Sequence, residues 1–137
     1  MSTESASSGI RILVVTPEET VLDVRADFVA VPLFDGELGV ARNRSPMIGR
    51  LGYGEMRVRS GSETLSHYVE GGFVQVVDNE VSVLTSRALP SGDVDAEAAG
   101  EQLATLLITP AAGDRQIAIR RRQIDQARGQ IRVARKA

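Results

Sequence analysis

A chain of 137 residues with 42% hydrophobic and 25% charged residues has the composition of one ordinary globular domain or of two small ones. Aromatic residues make up only 4% and tryptophan is absent, so the core must be built from Val, Leu, Ile and Ala. The absence of cysteine excludes disulfides and cysteine-ligated metal sites, and a net charge of −2 gives the whole chain no long-range attraction to nucleic acid.

The chain opens with MSTESASSG, a run of small and polar residues, and residues 1–9 are therefore predicted to be disordered. This run lacks the apolar segment of a signal peptide, so we expect none here. No stretch approaches the roughly 20 apolar residues that span a bilayer. Any membrane association is therefore expected to run through a partner.

Residues 10–88 show the pattern of many short strands. The segment IRILVVT is apolar and β-branched, and EMRVRSG alternates, with Met56 and Val58 on one face. Turn signals separate these runs: Gly71-Gly72 suits a kink or bulge, and Asp78-Asn79 tolerates left-handed backbone. Short strands at close spacing with frequent turns indicate a β-sandwich or a barrel.

After Ala88 the pattern becomes helical. Pro90, Ser91 and Gly92 predict a linker, and Asp93 is the expected N-cap of a first helix. The sequence ITPAAGD ends that helix, and Asp114 is the expected cap of a second helix that runs to the end of the chain.

The second helix has an apolar repeat. Isoleucines recur every seven residues with alanines three residues later, which predicts packing against a neighbouring helix, and an arginine at one remaining position weakens the seam. We expect the first helix to be that neighbour, in an antiparallel hairpin. The seam residues are Ile117, Arg120, Ile124, Ala127, Ile131 and Ala134.

Positive charge is concentrated in the second helix. Eight of the sixteen basic residues lie between Arg115 and Lys136, where the only acids are Asp114 and Asp125. Such a helix face is often merely solvated, but this excess cannot be neutralised within the helix and therefore indicates an acidic partner. A nucleic-acid-binding tail is the alternative, although the rest of the chain is acidic and poor in stacking aromatics.

The order of these parts resembles the epsilon subunit of the F-type ATP synthase, bacterial type. The likeness rests on LVVTPEETVLD, on DGELGV (35–40) with Pro46 following, on YVEGGFVQVVDNEVSVLTSRA (68–88) and on the terminal QIRVARKA. The resemblance implies a mainly β plus α fold. An N-terminal β-sandwich of about ten short strands (10–88) would be followed by a C-terminal antiparallel two-helix hairpin (89–137).

The resemblance also implies a function. The chain would be a non-catalytic central-stalk subunit of a proton- or sodium-translocating ATP synthase. Its sandwich would link the gamma subunit to the c-ring, and its hairpin would inhibit ATP hydrolysis. It would need no cofactor or metal and would lie at the cytoplasmic face of the bacterial inner membrane, held there only through the c-ring.

Two sets of contact residues follow from the resemblance. The loop expected to meet the gamma subunit and the c-ring contains Asp35, Gly36, Glu37, Leu38, Arg42 and Arg44. The residues expected to meet an acidic segment of the beta subunit are Arg115, Arg121, Arg122, Arg128 and Arg135. The family has Pro-Gly-His where this chain has residues 42–44, so contacts there must be partly different, and Arg42 and Arg44 are expected as neighbours of Glu37.

No catalytic or nucleotide site is predicted. Some bacterial relatives bind ATP through an arginine-containing motif at the start of the first helix, but here that motif reads VDAEAA and Ala98 replaces the arginine. We therefore expect no tight ATP binding, and we interpret IDQARG in the second helix as a coincidental match. His67 is the only histidine and is expected to be structural, and the chain lacks a phosphate-binding GxxxxGK[ST] loop.

Overall fold

The computed structural model describes residues 9–136, and within this range ten strands form two separate five-stranded sheets, followed by two helices. The predicted sandwich with a helical C-terminus is confirmed. The predicted disorder of residues 1–9 falls almost wholly on residues that lie outside the described range. The strands are β1 (Ile10–Val15), β2 (Thr20–Ala26), β3 (Phe28–Leu33), β4 (Gly36–Ala41), β5 (Met47–Arg50), β6 (Tyr53–Ser60), β7 (Glu63–Glu70), β8 (Phe73–Val77), β9 (Glu80–Leu84) and β10 (Ala88–Pro90).

The first sheet has the order β2-β1-β9-β8-β5, and the second has the order β10-β7-β6-β3-β4. The pairs β3–β4, β6–β7 and β8–β9 are antiparallel hairpins, whereas β1 pairs with β9 in parallel. This parallel pair joins the two halves of the first sheet, since β1 comes from the start of the sandwich sequence and β9 from near its end.

The core lies between the two sheets and is built almost wholly from Val, Ile and Leu, as the composition predicted. Along β1 and β6 every second residue is buried, because side chains of a strand alternate between the two faces of a sheet. The first sheet contributes Ile10, Ile12, Val14, Val74, Val76, Val81 and Val83, and the second contributes Val29, Val31, Leu38, Val40, Met56, Val58 and Val69.

Two connections show how local sequence fixes the course of the chain, one within the β8–β9 hairpin and one between β7 and β8. Asp78 and Asn79 both adopt left-handed backbone, with φ of 50° and 61°, in the two-residue turn between β8 and β9. Gly72 has φ of 104°, and a Cβ there would lie 1.9 Å from the carbonyl oxygen of Leu84. The glycine at the start of β8 is therefore required by the close approach of β9.

The C-terminal segment begins with a single 3₁₀ turn, Ser91–Asp93, and continues as α1 (Ala96–Ile108) and α2 (Asp114–Lys136). The predicted cap of the first helix is wrong by two residues. Asp95, not Asp93, accepts a hydrogen bond from the Ala98 backbone N–H at 3.0 Å, because Asp93 is occupied in the preceding turn. Asp114 lies in the first turn of α2, where its charge favours the helix N-terminus.

The two helices form the predicted hairpin, but the seam differs from the heptad prediction near its start. Ala127 is fully buried and Ile124 and Ile131 are half-buried, whereas Ile117 is 52% exposed. Arg120 does not weaken the seam. Its guanidinium donates to the carbonyls of Leu106 and Leu107 at 2.8 and 3.3 Å, so that it satisfies the free end of α1.

Candidate partner-binding surfaces

The turn between β3 and β4 presents a polar tip. Leu33 pairs with Gly36, so that Phe34 and Asp35 form a two-residue turn. Asp35, Gly36 and Glu37 are exposed, as a contact loop requires, but Leu38 is only 7% exposed and belongs to the core. The side chain of Leu38 therefore supports this turn from within and presents no surface to a partner.

Glu37 carries the negative charge next to this tip. Its carboxylate lies 3.2 Å from the guanidinium of Arg57 on β6, the strand on the far side of β3, and both side chains are more than one third exposed. An exposed pair of this kind contributes little to stability. Glu37 can therefore exchange Arg57 for a charged group of a partner at small cost.

Arg42 and Arg44 lie at the opposite end of β4. Five residues separate Glu37 from Arg42 along an extended strand, which places them about 17 Å apart at about 3.3 Å per residue. The expectation that these arginines are neighbours of Glu37 is therefore wrong, since the extended strand β4 lies between them. The loop that carries them is held by the Asn43 backbone N–H, which donates to Asn79 at 2.6 Å.

The outer face of the first sheet carries apolar side chains that the sequence analysis did not single out. Ile48, Phe73 and Leu84 are 71%, 57% and 51% exposed. Phe73 pairs directly with Leu84 across β8 and β9, and Ile48 is one row away on β5. The sequence FVQVV of β8 carried a signal for this face. Its second and fourth residues are apolar and face the core, so the apolar first residue, Phe73, must face outward. An exposed apolar group on a sheet is typical of a protein interface.

The outer face of the second sheet is covered by α2 instead. Gly129 lies against β6, where a Cβ would be 3.0 Å from both the Cβ and the carbonyl oxygen of Tyr53. Beside this crossing Arg132 donates to the Tyr53 carbonyl at 3.1 Å, and the Tyr68 hydroxyl donates to the Gln126 carbonyl at 3.3 Å. The hairpin is thus docked on the sandwich through a close backbone contact and a few hydrogen bonds.

The C-terminal half of β7, residues 67–70, is buried on both faces beneath this docked helix. Glu70 is 5% exposed, and burial raises the pKa of its carboxyl, while Arg87 at 3.6 Å opposes that effect. Burial also raises the pKa of the Tyr68 hydroxyl well above its ordinary value. These two buried polar groups are tolerated because each has a partner, Arg87 for Glu70 and the Gln126 carbonyl for Tyr68.

The predicted arginine surface is exposed in the docked hairpin. Among residues 9–136, no ion pair or hydrogen bond engages any of its five members, which are Arg115, Arg121, Arg122, Arg128 and Arg135. The structure brings Arg121 and Arg128 to one groove and leaves Arg115 and Arg135 outside it. The positive charge of α2 is therefore not neutralised within the described part of the chain.

Neither a catalytic centre nor a metal site emerges from the described residues. His67 is 8% exposed and its Nδ1 has no hydrogen-bond partner among them, and burial lowers the pKa of its imidazole. Within 9–136, no group of His, Asp and Glu could hold a metal ion. No helix in the same range is long and apolar enough to cross a membrane.

A pocket of about 250 Å³ lies where α1, α2 and the sandwich meet, and Ala98 is one of its lining residues. Its charged lining groups are Arg87, Asp93 and Asp95. One cation and two carboxylates give this pocket a negative balance, which is unfavourable for a phosphate chain.

The class that the fold and these surfaces define is a two-layer β-sandwich with a helical hairpin docked on one sheet. Residues 10–91 match the family described as ATP synthase, Delta/Epsilon chain, beta-sandwich domain, and the chain belongs to this family.

Individual relatives agree with this assignment. The chain is 51% identical over 126 residues to the ATP synthase epsilon chain of Rhodopirellula baltica, covering 92% of this chain and 98% of the relative. It is 27% identical to the sodium ion specific ATP synthase epsilon chain of Propionigenium modestum, covering 90% and 92% of the two chains. The resemblance to epsilon subunits is thereby confirmed.

Two solved structures show the same fold. A chain of the Euglena gracilis mitochondrial ATP synthase (OSCP, F1 and c-ring) aligns with a TM-score of 0.80 at 18% identity, over 89% of this chain and 79% of that one. A chain of the Tetrahymena thermophila mitochondrial ATP synthase central stalk and c-ring aligns with a TM-score of 0.73 at 15% identity, over 91% and 96%.

Proposed function

We propose that this chain is a non-catalytic rotor subunit of a proton- or sodium-translocating ATP synthase, at the cytoplasmic face of the bacterial inner membrane. Its sandwich links the gamma subunit to the c-ring. Its hairpin restrains ATP hydrolysis when it leaves the sandwich and reaches the beta subunit. The chain itself carries no cofactor and performs no chemistry.

The observation that carries the proposal is the way in which α2 is docked. The contacts described above between α2 and the sandwich are a glycine approach and two hydrogen bonds at 3.1 and 3.3 Å. The hairpin is closed by its own contacts, including those of Arg120, so it can leave the sandwich as a unit. Two packings of one hairpin that differ by a few kcal/mol are the physical basis of a switch.

The sandwich offers separate surfaces to two partners. We assign the exposed apolar face around Phe73 and Leu84 to the gamma subunit, because a stable stalk contact requires buried apolar area. We assign the polar tip at Asp35 and Glu37 to the polar loops of the c-ring. Arg42 and Arg44, at the other end of β4, extend the contact with gamma.

The five exposed arginines of α2 are the surface for an acidic segment of the beta subunit. They have no partner within residues 9–136, so binding an acidic partner breaks no internal ion pair. Charges arranged in this way direct the hairpin to its target and set the specificity of the contact.

A truncation tests the regulatory part of this proposal. The chain should end after Gly92, since β10 pairs with β7 and the Ser91 hydroxyl is 2.6 Å from the Ser66 hydroxyl. The enzyme reconstituted with this truncation is expected to assemble normally and to hydrolyse ATP faster than the enzyme with the full chain.

A charge variant is the matched control, because it keeps the hairpin. Replacing all five arginines of the surface by glutamine should raise hydrolysis to the level of the truncation while the second sheet stays covered. If hydrolysis is unchanged in both enzymes, the inhibitory role is refuted. If assembly with the gamma subunit and the c-ring fails in the truncation alone, the sandwich does not carry the linkage.

ATP binding to the hairpin is not part of the proposal. The pocket beside Ala98 lacks the arginine of ATP-binding relatives, and its acidic lining opposes a triphosphate. We do not carry forward the alternative of a nucleic-acid-binding module, since no observation favours it over the family to which the chain belongs.

A further inference from the structure

A second and larger recess lies between α2 and the sandwich. This groove has a volume of about 750 Å³ and shares no lining residue with the pocket beside Ala98. The turn after β3, the end of β5 and the start of β6 form one wall, and α2 forms the other. Its charged lining residues are Arg50, Arg121, Asp125, Arg128 and Arg132.

The helical wall is one continuous stripe. Arg121, Asp125, Arg128 and Arg132 follow at steps of four, three and four residues, which places them on one face of the helix. At about 1.5 Å per residue the stripe is about 16 Å long. Arg50 faces it from the sandwich, with its guanidinium 5.6 Å from the centre of the Phe34 ring.

The charge of this groove is not compensated. Among residues 9–136, neither Arg121 nor Arg128 has an ion-pair or hydrogen-bond partner, and Asp125 forms no ion pair. Arg132 donates to the neutral carbonyl of Tyr53 at 3.1 Å. Four guanidinium groups thus share one recess with a single carboxylate. Concave surfaces lined by one sign of charge concentrate ions of the opposite sign.

We propose that this groove binds a small multivalent anion of the polyphosphate class, and that the bound anion holds the hairpin on the sandwich. One guanidinium group can donate two parallel hydrogen bonds to the oxygens of one phosphate. A row of arginines about 16 Å long therefore suits several linked phosphates better than a single phosphate. The helix supplies three arginines and the sandwich supplies Arg50. The complete site therefore exists only while the hairpin is docked, and a ligand of the site must favour that state.

The test uses the full chain in isolation, so its result does not depend on the proposed role in the ATP synthase. Inorganic tripolyphosphate is titrated calorimetrically in about 0.15 M salt, where exposed charges more than about 8 Å apart are screened. The ring signals of Tyr53 and Tyr68, the only tyrosines of the chain, report docking by NMR. We expect saturable binding together with an increase in the docked population.

The double variant Arg121→Gln/Arg128→Gln removes two groove charges. Its affinity for tripolyphosphate should fall by about 100-fold, at about tenfold for each hydrogen-bonding cation. The matched control, Arg42→Gln/Arg115→Gln, removes the same net charge outside the groove and should bind as the unaltered chain does. Equal affinity of the two double variants, or an effect that sodium chloride of equal ionic strength reproduces, would overturn the proposal.

A vesicle experiment separates a free anion from a lipid headgroup. Phosphatidylcholine vesicles with and without phosphatidylglycerol are sedimented with each chain. Retention of the unaltered chain by the anionic vesicles, lost only in the groove variant, would assign the phosphate chemistry to a headgroup and overturn the free anion. No retention, together with tripolyphosphate binding, supports the free anion.

Discussion

Substitution of Gly129 by alanine tests whether the docking of α2 depends on the close approach to β6. A Cβ at this position would lie 3.0 Å from the Cβ and from the carbonyl oxygen of Tyr53. Tyr53 is held in place because it pairs with Glu70 at the end of the β6–β7 ladder. The helix must therefore move outward, which lengthens the hydrogen bonds that Arg132 and Tyr68 make across the junction.

The size of the effect follows from these contacts. A shift of a few tenths of an ångström weakens two hydrogen bonds of about 1 kcal/mol each, so docking is weakened by at most about 2 kcal/mol. Alanine also stabilises a helix by about 1 kcal/mol relative to glycine. That gain applies to the docked and the released hairpin alike, so it cancels in the docking equilibrium. The docked-to-released ratio is expected to fall by up to about 30-fold.

Gly100→Ala in α1 is the matched control, since a Cβ there would meet nothing within 4 Å. Carbon-13 labelling of the tyrosines followed by NMR measures docking in both variants. The ring signals should move toward those of the chain truncated after Gly92 in Gly129→Ala only. Urea unfolding should show Gly100→Ala stabilised by about 1 kcal/mol. Unchanged tyrosine signals in Gly129→Ala would refute the steric reasoning.

The other predictions concern single positions in the hairpin and the sandwich. Arg120→Ala should destabilise the end of α1 by about 1–2 kcal/mol by removing two bonds to its carbonyls, seen as faster amide exchange there; Arg115→Ala should leave that exchange unchanged. Gly72→Ala should cost more than about 3 kcal/mol in urea unfolding, because a Cβ would overlap a carbonyl of β9, whereas Gly61→Ala, in open space with φ of 60°, should cost only about 1–2 kcal/mol; equal costs would contradict the overlap. Burial lowers the pKa of His67, so the unfolded chain takes up a proton first as pH falls below about 6.5, and the free energy of unfolding should drop by at most about 1.4 kcal/mol per pH unit. His67→Leu should flatten that slope between pH 7 and 5 in urea titrations, and an unchanged slope would assign the effect to other groups.

The strand pattern and the turns of the sandwich could be predicted because they depend on local properties. Asp78 and Asn79 were expected to accept left-handed backbone, and they do so. The alternation put Met56 and Val58 on one face of a strand, and the structure shows that this face lies in the core. Strand periodicity and turn preferences depend on a few neighbouring residues, so the sequence alone could predict them, and the structure confirms both predictions.

The faces of α2 could be predicted only in part, since the heptad pattern describes packing against one neighbour. Ile124 and Ala127 were placed correctly, but Gly129 and Val133 are buried as well. Gly129 packs on the sandwich, and no apolar side chain marks it in the sequence. The role of Arg120 depends on where α1 ends after the hairpin folds, which spacing within α2 does not reveal.

The site residues depended most on geometry that lies outside the sequence pattern. Glu37 was expected beside Arg42 and Arg44 because the three are close in the chain, but an extended strand separates charges that a helix or a loop would have kept together. The groove that joins Arg50 to Arg128 shows the opposite case. These residues are far apart in sequence and share one recess because α2 packs against β6, whose start follows directly on the end of β5.

The parallel pairing of β1 with β9 has a consequence for the order in which the protein folds. Arg11 is paired with Glu80, so a strand made at the start of synthesis cannot find its partner until some seventy residues later. At about 5–20 residues per second, that delay is between about 4 and 14 seconds. During this time β1 and β2 can form only a hairpin in which the edge of β1 that later pairs with β9 is open, and unpaired edges are prone to aggregation. The first sheet therefore cannot be completed before β9 is made, when only β10 of the second sheet is still missing, and α2 emerges from the ribosome only after the surface on which it docks is complete.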